Sequence, residues 1–226
     1  MGRDVDPQIE KALELAKLHR RLRRVSDDVV RDLHVRHAAS LRGLEALPDL
    51  EVLILSGCGL TTSTDIPNLP KLLSLRVNDS ALHDVTLCDR FPRLHIISAE
   101  RNKIQDLRPL LQCNLGILDV AGNPLSEESY FEVIPKLVER GCKISCSQVR
   151  EWRVTLRMQH SGIPLNCYEK EGEYYLCSPG LALTGAPEYD HPRIDIDEVE
   201  SILARDATHL LPLFRKRGGM GKMPSS

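Results

Sequence analysis

The sequence predicts an α/β solenoid: about five stacked coils with a parallel inner sheet, a helical cap at either end, and a small hairpin-plus-helix extension after the array. Three observations predict it. A leucine pattern recurs through the first half of the chain, helix-start signals flank that pattern, and the spacing of apolar residues changes beyond residue 145.

Four segments align on L-x-x-L-x-L-x-x-(N/C)-x-L. They are Leu50, Leu53, Leu55, Cys58, Leu60; Leu72, Leu75, Val77, Ser80, Leu82; Leu94, Ile97, Ala99, Asn102, Ile104; and Leu115, Leu118, Val120, Asn123, Leu125. Their starts are 22, 22 and 21 residues apart, and a degenerate earlier copy runs from Val30 through Leu33, Val35 and Ala38 to Ser40 or Leu41. The L-x-L centre is a short strand with alternate side chains turned inward. The ninth position offers a side chain able to satisfy backbone groups where the chain leaves the strand. Each coil buries its leucines only against its neighbours, so the copies fold as a stack. On the returning side the apolar spacing is three (Leu44, Leu47, Leu50; Ile66, Leu69, Leu72; then Val85 and Phe91 before Leu94), which suits compact 3₁₀ turns. Pro48, Pro67, Pro70, Pro92 and Pro109 fall there, where no ladder or α-helix needs their missing N–H.

These residues resemble the short, 22-residue class of leucine-rich repeats, over roughly residues 30–144. That class includes a regulatory subunit of type-1 protein phosphatase, an axonemal dynein light chain and the A-prime protein of a spliceosomal particle. Gly122-Asn123-Pro124-Leu125 is similar to the last repeat of such arrays, where a cap follows. The resemblance implies a leucine-rich-repeat solenoid and is nearly silent on partner; regulation of a phosphatase would rest on family analogy alone.

An open stack exposes apolar ends, so caps are expected. Asp6-Pro7 reads as an N-cap followed by proline in the first helical turn, opening a helix over 7–25 with Leu15, Leu18, Leu22 and Val25 as its apolar stripe. Arg20, Arg21, Arg23 and Arg24 close that helix, where cations suit the macrodipole. Beyond the array, residues 126–145 read as the second cap. Ser126-Glu127-Glu128-Ser129 opens a helix with Tyr130, Val133, Ile134, Leu137 and Val138 on one face, Gly141 ends it, and Lys143-Ile144-Ser145 returns as a short strand.

The extension carries no repeat. Residues 152–158 alternate and read as a strand, and 165–177 as a hairpin about Gly172. Residues 178–193 read as a loop. Asp197 with Glu200 starts a helix carrying Val199, Ile202, Leu203, Ala207 and Leu210, expected to stop at Pro212. The divisions are thus 1–29 (N-terminal capping helix), 30–145 (array and cap), 146–214 (extension) and 215–226 (basic, disordered tail).

Composition narrows the function classes. A hydrophobic share of 42% supports a real core, and a net charge of −2 gives no general attraction to nucleic acid or acidic membrane. The first twenty residues lack an apolar signal core, and no apolar run reaches the roughly 18 residues of a membrane span. Seven scattered cysteines suit a reducing compartment, so the expected location is intracellular, cytoplasmic or nuclear. Cys142, Cys146, Cys167 and Cys177 lack zinc-knuckle spacing. A bridge between Cys167 and Cys177, both five residues from Gly172, is geometrically conceivable but disfavoured in such a compartment. His34 and His37 beside Asp32 suggest a metal or general-base pair, but no nucleophile elbow, phosphate-binding loop or H-E-x-x-H motif accompanies them. Surface histidines are the simpler account. The expectation is no enzymatic activity, no cofactor and no metal.

Three columns of the repeat point away from the core: Asp32, Val52, Ser74, Ile96, Ile117; His34, Ile54, Arg76, Ser98, Asp119; and Arg36, Ser56, Asn78, Glu100, Ala121. No basic stripe or row of stacking aromatics crosses them. Exposed aliphatics within a polar rim suit a protein partner. The leading expectation is an adaptor or assembly subunit that binds another protein through Val52, Ile54, Arg76, Asn78, Ile96 and Glu100, with no membrane partner. The competing expectation is a ribonucleoprotein component touching RNA through its basic ends, residues 20–24 and 215–222.

Overall fold

The computed structural model describes residues 5–23, 29–180 and 191–217. Helix α1 (Pro7–Leu22) precedes five parallel strands: β1 (Asp32–Arg36), β2 (Val52–Ser56), β3 (Ser74–Asn78), β4 (Ile96–Ser98) and β5 (Ile117–Asp119). A widened turn at Ser129–Val133 leads into α2 (Ile134–Glu139), and β6 (Lys143–Ser145) adds the last strand. Strand order is β1-β2-β3-β4-β5-β6, every pairing parallel, with Leu33, Leu53, Leu75, Ile97, Leu118 and Ile144 in one register row. The fold is a leucine-rich-repeat solenoid.

The pattern forms these elements for local reasons. Leu53, Leu55, Leu75, Val77, Ile97 and Leu118 are all but fully buried, while their outward neighbours Val52, Ile54, Ser74, Arg76, Ile96 and Ile117 are half-buried or exposed. The convex side carries 3₁₀ turns at Leu44–Ala46, Ser63–Asp65 and Arg108–Gln112; the first falls on the predicted spacing of three, the second lies just before Ile66–Leu72, and the Val85–Phe91 stretch has none. Asn102 lends Oδ1 to the Leu82 N–H (3.0 Å) and donates Nδ2 to the Val77 carbonyl (2.7 Å). Asn123 repeats this one coil later, with Ile104 and Ala99. Just past each inner strand, one residue turns left-handed: His37, Gly57, Asp79, Arg101 and Gly122, with φ between 53° and 70°.

Asp6 caps α1, accepting from the Gln8 N–H, and Asp6 also accepts from the Ser40 N–H, so the cap is tied to the first coil. The predicted stripe is not the one that packs. Ile9 and Ala12 face the core, whereas Leu15, Leu18 and Leu22 are 47%, 50% and 73% exposed. Val25 and Arg24 lie outside the described residues. In the second cap Val133 and Leu137 are buried, but Val138 is exposed.

The extension departs from expectation at its start. Residues 152–158 lie in helix α3 (Val149–His160), not a strand. Gln148 and Glu151 form a capping box, and Trp152, Thr155 and Val154 with Met158 fall on buried helical faces. The hairpin is present as β7 (Asn166–Lys170) and β8 (Glu173–Cys177), with Gly172 left-handed at the turn. The segment after it supplies a third strand, β9 (Arg193–Ile194), paired to β8. Helix α4 (Ile196–Arg205) follows, then a 3₁₀ turn, then α5 (Leu210–Arg217). Pro212 sits in the first turn of α5, where its missing N–H costs nothing, instead of ending a helix. The helix therefore runs past residue 215; positions 218–226 lie outside the described residues.

Two cores result. The array core runs from Ile9 to Trp152, and a smaller one gathers Val154, Met158, Leu165, Leu176, Val199 and Phe214. Helix α3 belongs to both. Trp152 stacks on Tyr130 at 4.2 Å and donates to the Leu125 carbonyl. Asn166 reaches back to the carbonyls of Asn102 and Gly122 (2.7 and 2.8 Å). The extension therefore docks on the last coils of the array.

Cys88 and Cys113 form a disulfide between neighbouring returning segments, a pairing their spacing did not suggest and one at odds with the expectation of thiols in a reducing compartment. The other five cysteines are free, including Cys167 and Cys177, which are not register partners.

Candidate interaction surface

The strand register assembles the concave face row by row. Asp32, Val52, Ser74, Ile96, Ile117 and Lys143 lie side by side, as do His34, Ile54, Arg76, Ser98, Asp119 and Ser145. Val52 and Ile96 are half-buried on either side of Ser74, and Ile117 beyond them is 43% exposed. Ile54 is the register neighbour of Arg76. The aliphatics thus form a band across β2, β4 and β5 that Ser74 and Arg76 interrupt at β3. The C-terminal extension docks elsewhere, at the left-handed corners of the later coils.

The six residues singled out in the sequence differ in freedom. Arg76 is exposed, with no side-chain hydrogen bond or ion pair among the described residues. Asn78 and Glu100 are half-buried in a network instead. Asn78 Oδ1 accepts from Ser98 Oγ and from the Glu100 N–H, both at 3.0 Å, and Asn78 Nδ2 donates to Glu100 Oε2 at 3.1 Å. Glu100 Oε2 also accepts from Arg101 Nη1 (2.8 Å). Arg101 grips Asp79 through Nε and Nη2 (2.6 and 2.9 Å), lies 5.1 Å over the Tyr168 ring, and is largely buried. Tyr168 bonds His191 (2.9 Å), whose Nε2 is 3.8 Å from Asp79. Burial opposes the Arg101 charge, yet Asp79 and Glu100 outweigh it and hold the guanidinium above its ordinary pKa. This cluster is structural: it locks the hairpin to the array and braces the rim of the concave face. Sequence reasoning missed it because Tyr168 and His191 lie far from Asp79 along the chain.

Charge is mixed along the face, with Asp32 and Arg36 on β1, Arg76 on β3, Asp119 on β5 and Lys143 on β6. His34, Arg36 and Arg76 occupy the first three strands, and burial followed by Arg36 and Arg76 pulls the His34 pKa down, while its Nε2 meets Ser56 Oγ at 2.9 Å. At the other end Asp119 lies beside Glu100. Burial first, then the Glu100 carboxylate, push the Asp119 carboxyl up to about 7.

Among the described residues, no group of three or more His, Cys, Asp or Glu side chains is placed to hold a metal ion. No described helix is long and apolar enough to cross a membrane. Arg20, Arg21 and Arg23 end α1 as the sequence suggests, and Lys222 lies outside the described residues.

Fold and surface together define a repeat solenoid with an open concave face. Two curated relatives are similar to it. The chain is 31% identical to "Acidic leucine-rich nuclear phosphoprotein 32 family member A" of Drosophila melanogaster over 140 residues, 57% of this chain and 52% of that protein. It is 36% identical to "Acidic leucine-rich nuclear phosphoprotein 32-related protein 1" of Caenorhabditis elegans over 121 residues, 47% of this chain and 53% of that protein. The chain thus matches about half the length of these relatives. No protein-family model matches it. Among solved structures, an internalin of Listeria monocytogenes aligns with TM-score 0.43 and 16% identity, over 67% of this chain and 53% of the other. An internalin C2 from the same organism aligns with TM-score 0.41 and 18% identity, over 67% and 80%.

Proposed function

We propose that this protein is a binding scaffold, not an enzyme, and that it holds another protein across its concave face over β2–β4. The aliphatic band of Val52, Ile54 and Ile96, continued by Ile117, carries the reading. Apolar side chains presented from a rigid parallel sheet lose little conformational entropy on docking. Arg76 is the free cation beside them and orients the partner, while Asn78 and Glu100 shape the rim through the network that fixes them. The relatives bear "nuclear" in their names, which supports placing this chain in the nucleus or cytoplasm.

The test is affinity capture with Ile54→Asp and Arg76→Glu beside the unmutated chain. Outward positions contribute little to the core, so both variants fold. Each weakens partner capture by about 1–3 kcal/mol. Normal recovery of the same partners by both folded variants excludes the concave face.

A further inference from the structure

We infer that the segment docking on this scaffold is an acidic amphipathic helix, seated in the groove between α1 and β1 where the concave face begins. The inference rests on the concave-face reading and deepens it by naming the class of partner.

The groove has a volume of about 630 Å³ and is walled by one face of α1 and the outward side chains of β1. Leu15 and Ala16 supply its apolar floor from α1. Lys11 and Arg36 line it as cations, with Asp32 as the acid among the described lining residues, and His19, His34 and His37 add imidazole hydrogen-bonding groups. Glu10 and Glu14, the acids of α1, are not on that wall. Leu15, Leu18 and Leu22 recur at i, i+3 and i+7, so they form one ridge along the helix, and all three are at least 47% exposed while Ile9 and Ala12 hold α1 to the array. A ridge of this spacing beside a groove is the surface that another helix packs against. The cations set the sign of that helix. Arg36, Ile54 and Arg76 continue the same basic and apolar character onto β1–β3, so one segment can span groove and sheet.

Charge also excludes the nearest alternatives. A second copy would bring α1 with Glu10 and Glu14 balanced by Lys11 and Lys17, so it offers no surplus of acid to the groove. Residues 215–222 carry Arg215, Lys216, Arg217 and Lys222 and no acid, so they do not supply an acidic helix. Nucleic acid would meet leucines where it needs stacking or base contacts, with no aromatic among the described residues lining the groove.

The experiment titrates the full chain against three labelled probes by fluorescence anisotropy. One is a synthetic peptide with leucines at helical i, i+3, i+4, i+7 spacing and glutamates elsewhere, the second replaces every glutamate by lysine, and the third is a single-stranded RNA oligonucleotide. The glutamate peptide is expected to bind at least about tenfold tighter than the lysine peptide. The double variants Leu15→Asp/Leu18→Asp and Lys11→Glu/Arg36→Glu should each weaken it about tenfold or more, with far-UV circular dichroism unchanged. If the leucine variant fails to fold, the charge variant alone decides. Equal affinity for both peptides, no binding of the glutamate peptide, displacement of it by the RNA, or indifference to the charge variant overturns the inference. Capture of native partners by Ile54→Asp reports separately on the concave-face reading, so the two can fail independently.

Discussion

The repeat array and the C-terminal extension are held together by different means. Within the array each coil repeats its neighbour's contacts, with the leucine rows buried and asparagine side chains bridging backbone from one coil to the next at Asn102 and Asn123. The extension has its own small core and meets the array along an aperiodic seam of Trp152, Asn166, Tyr168 and His191. The difference teaches that stability and attachment are separable. Removing a leucine weakens the stack, whereas removing a seam residue outside the array core, such as Asn166, loosens the extension from a stack that persists.

The largest expected effect lies in the array. Leu75→Ala or Leu118→Ala costs about 2–5 kcal/mol, because each side chain is essentially fully buried between coils with nothing to refill the space. Chemical denaturation midpoints check this, and an unchanged midpoint for both would break the inward register. Next come the two asparagines. Asn102→Ala costs about 1–3 kcal/mol by orphaning the Leu82 N–H and the Val77 carbonyl inside the array. Asn166→Ala costs a similar amount by abandoning the Asn102 and Gly122 carbonyls. The comparison predicts different signatures: hydrogen exchange should rise throughout the array for the first and only in α3, β7 and β8 for the second. Uniform exchange in both would mean that array and extension open as one unit.

A smaller effect is pH-dependent. Asp119 has a native pKa of about 7, above its unfolded value, so the native state binds more protons between roughly pH 4 and pH 7. Stability from this site is therefore present at low pH and lost as pH rises through 7. Asp119→Asn should flatten that slope, leaving the variant relatively more stable at about pH 8 than at about pH 5. Parallel pH profiles for variant and parent would contradict a carboxylate pair at Glu100 and Asp119.

How far each region was legible follows from the same contrast. The array is periodic, so Leu53, Leu75, Ile97 and Leu118 declare both strand and register, and the outward columns line up as β-ladder rows. The extension repeats nothing. Alternation over 152–158 reads as strand because Trp152, Val154 and Met158 serve two cores on different sides of α3, a demand no single-face periodicity encodes. In α1 the leucines suggest a buried stripe, but the tie of Asp6 to Ser40 fixes the helix with Ile9 and Ala12 inward. The Asp79–Arg101 pair and its cover by Tyr168 and His191 depend on long-range packing, and no local signal marks them.

The central claim is that the partner lies on the concave aliphatic band. A photo-crosslinking residue placed at Ile96, on β4 of the concave sheet, and separately at Arg108, in the convex 3₁₀ turn, tests it most directly in the full chain with its native partners present. The account predicts a partner adduct from position 96 and none from position 108. An adduct from position 108 with none from position 96 would contradict it.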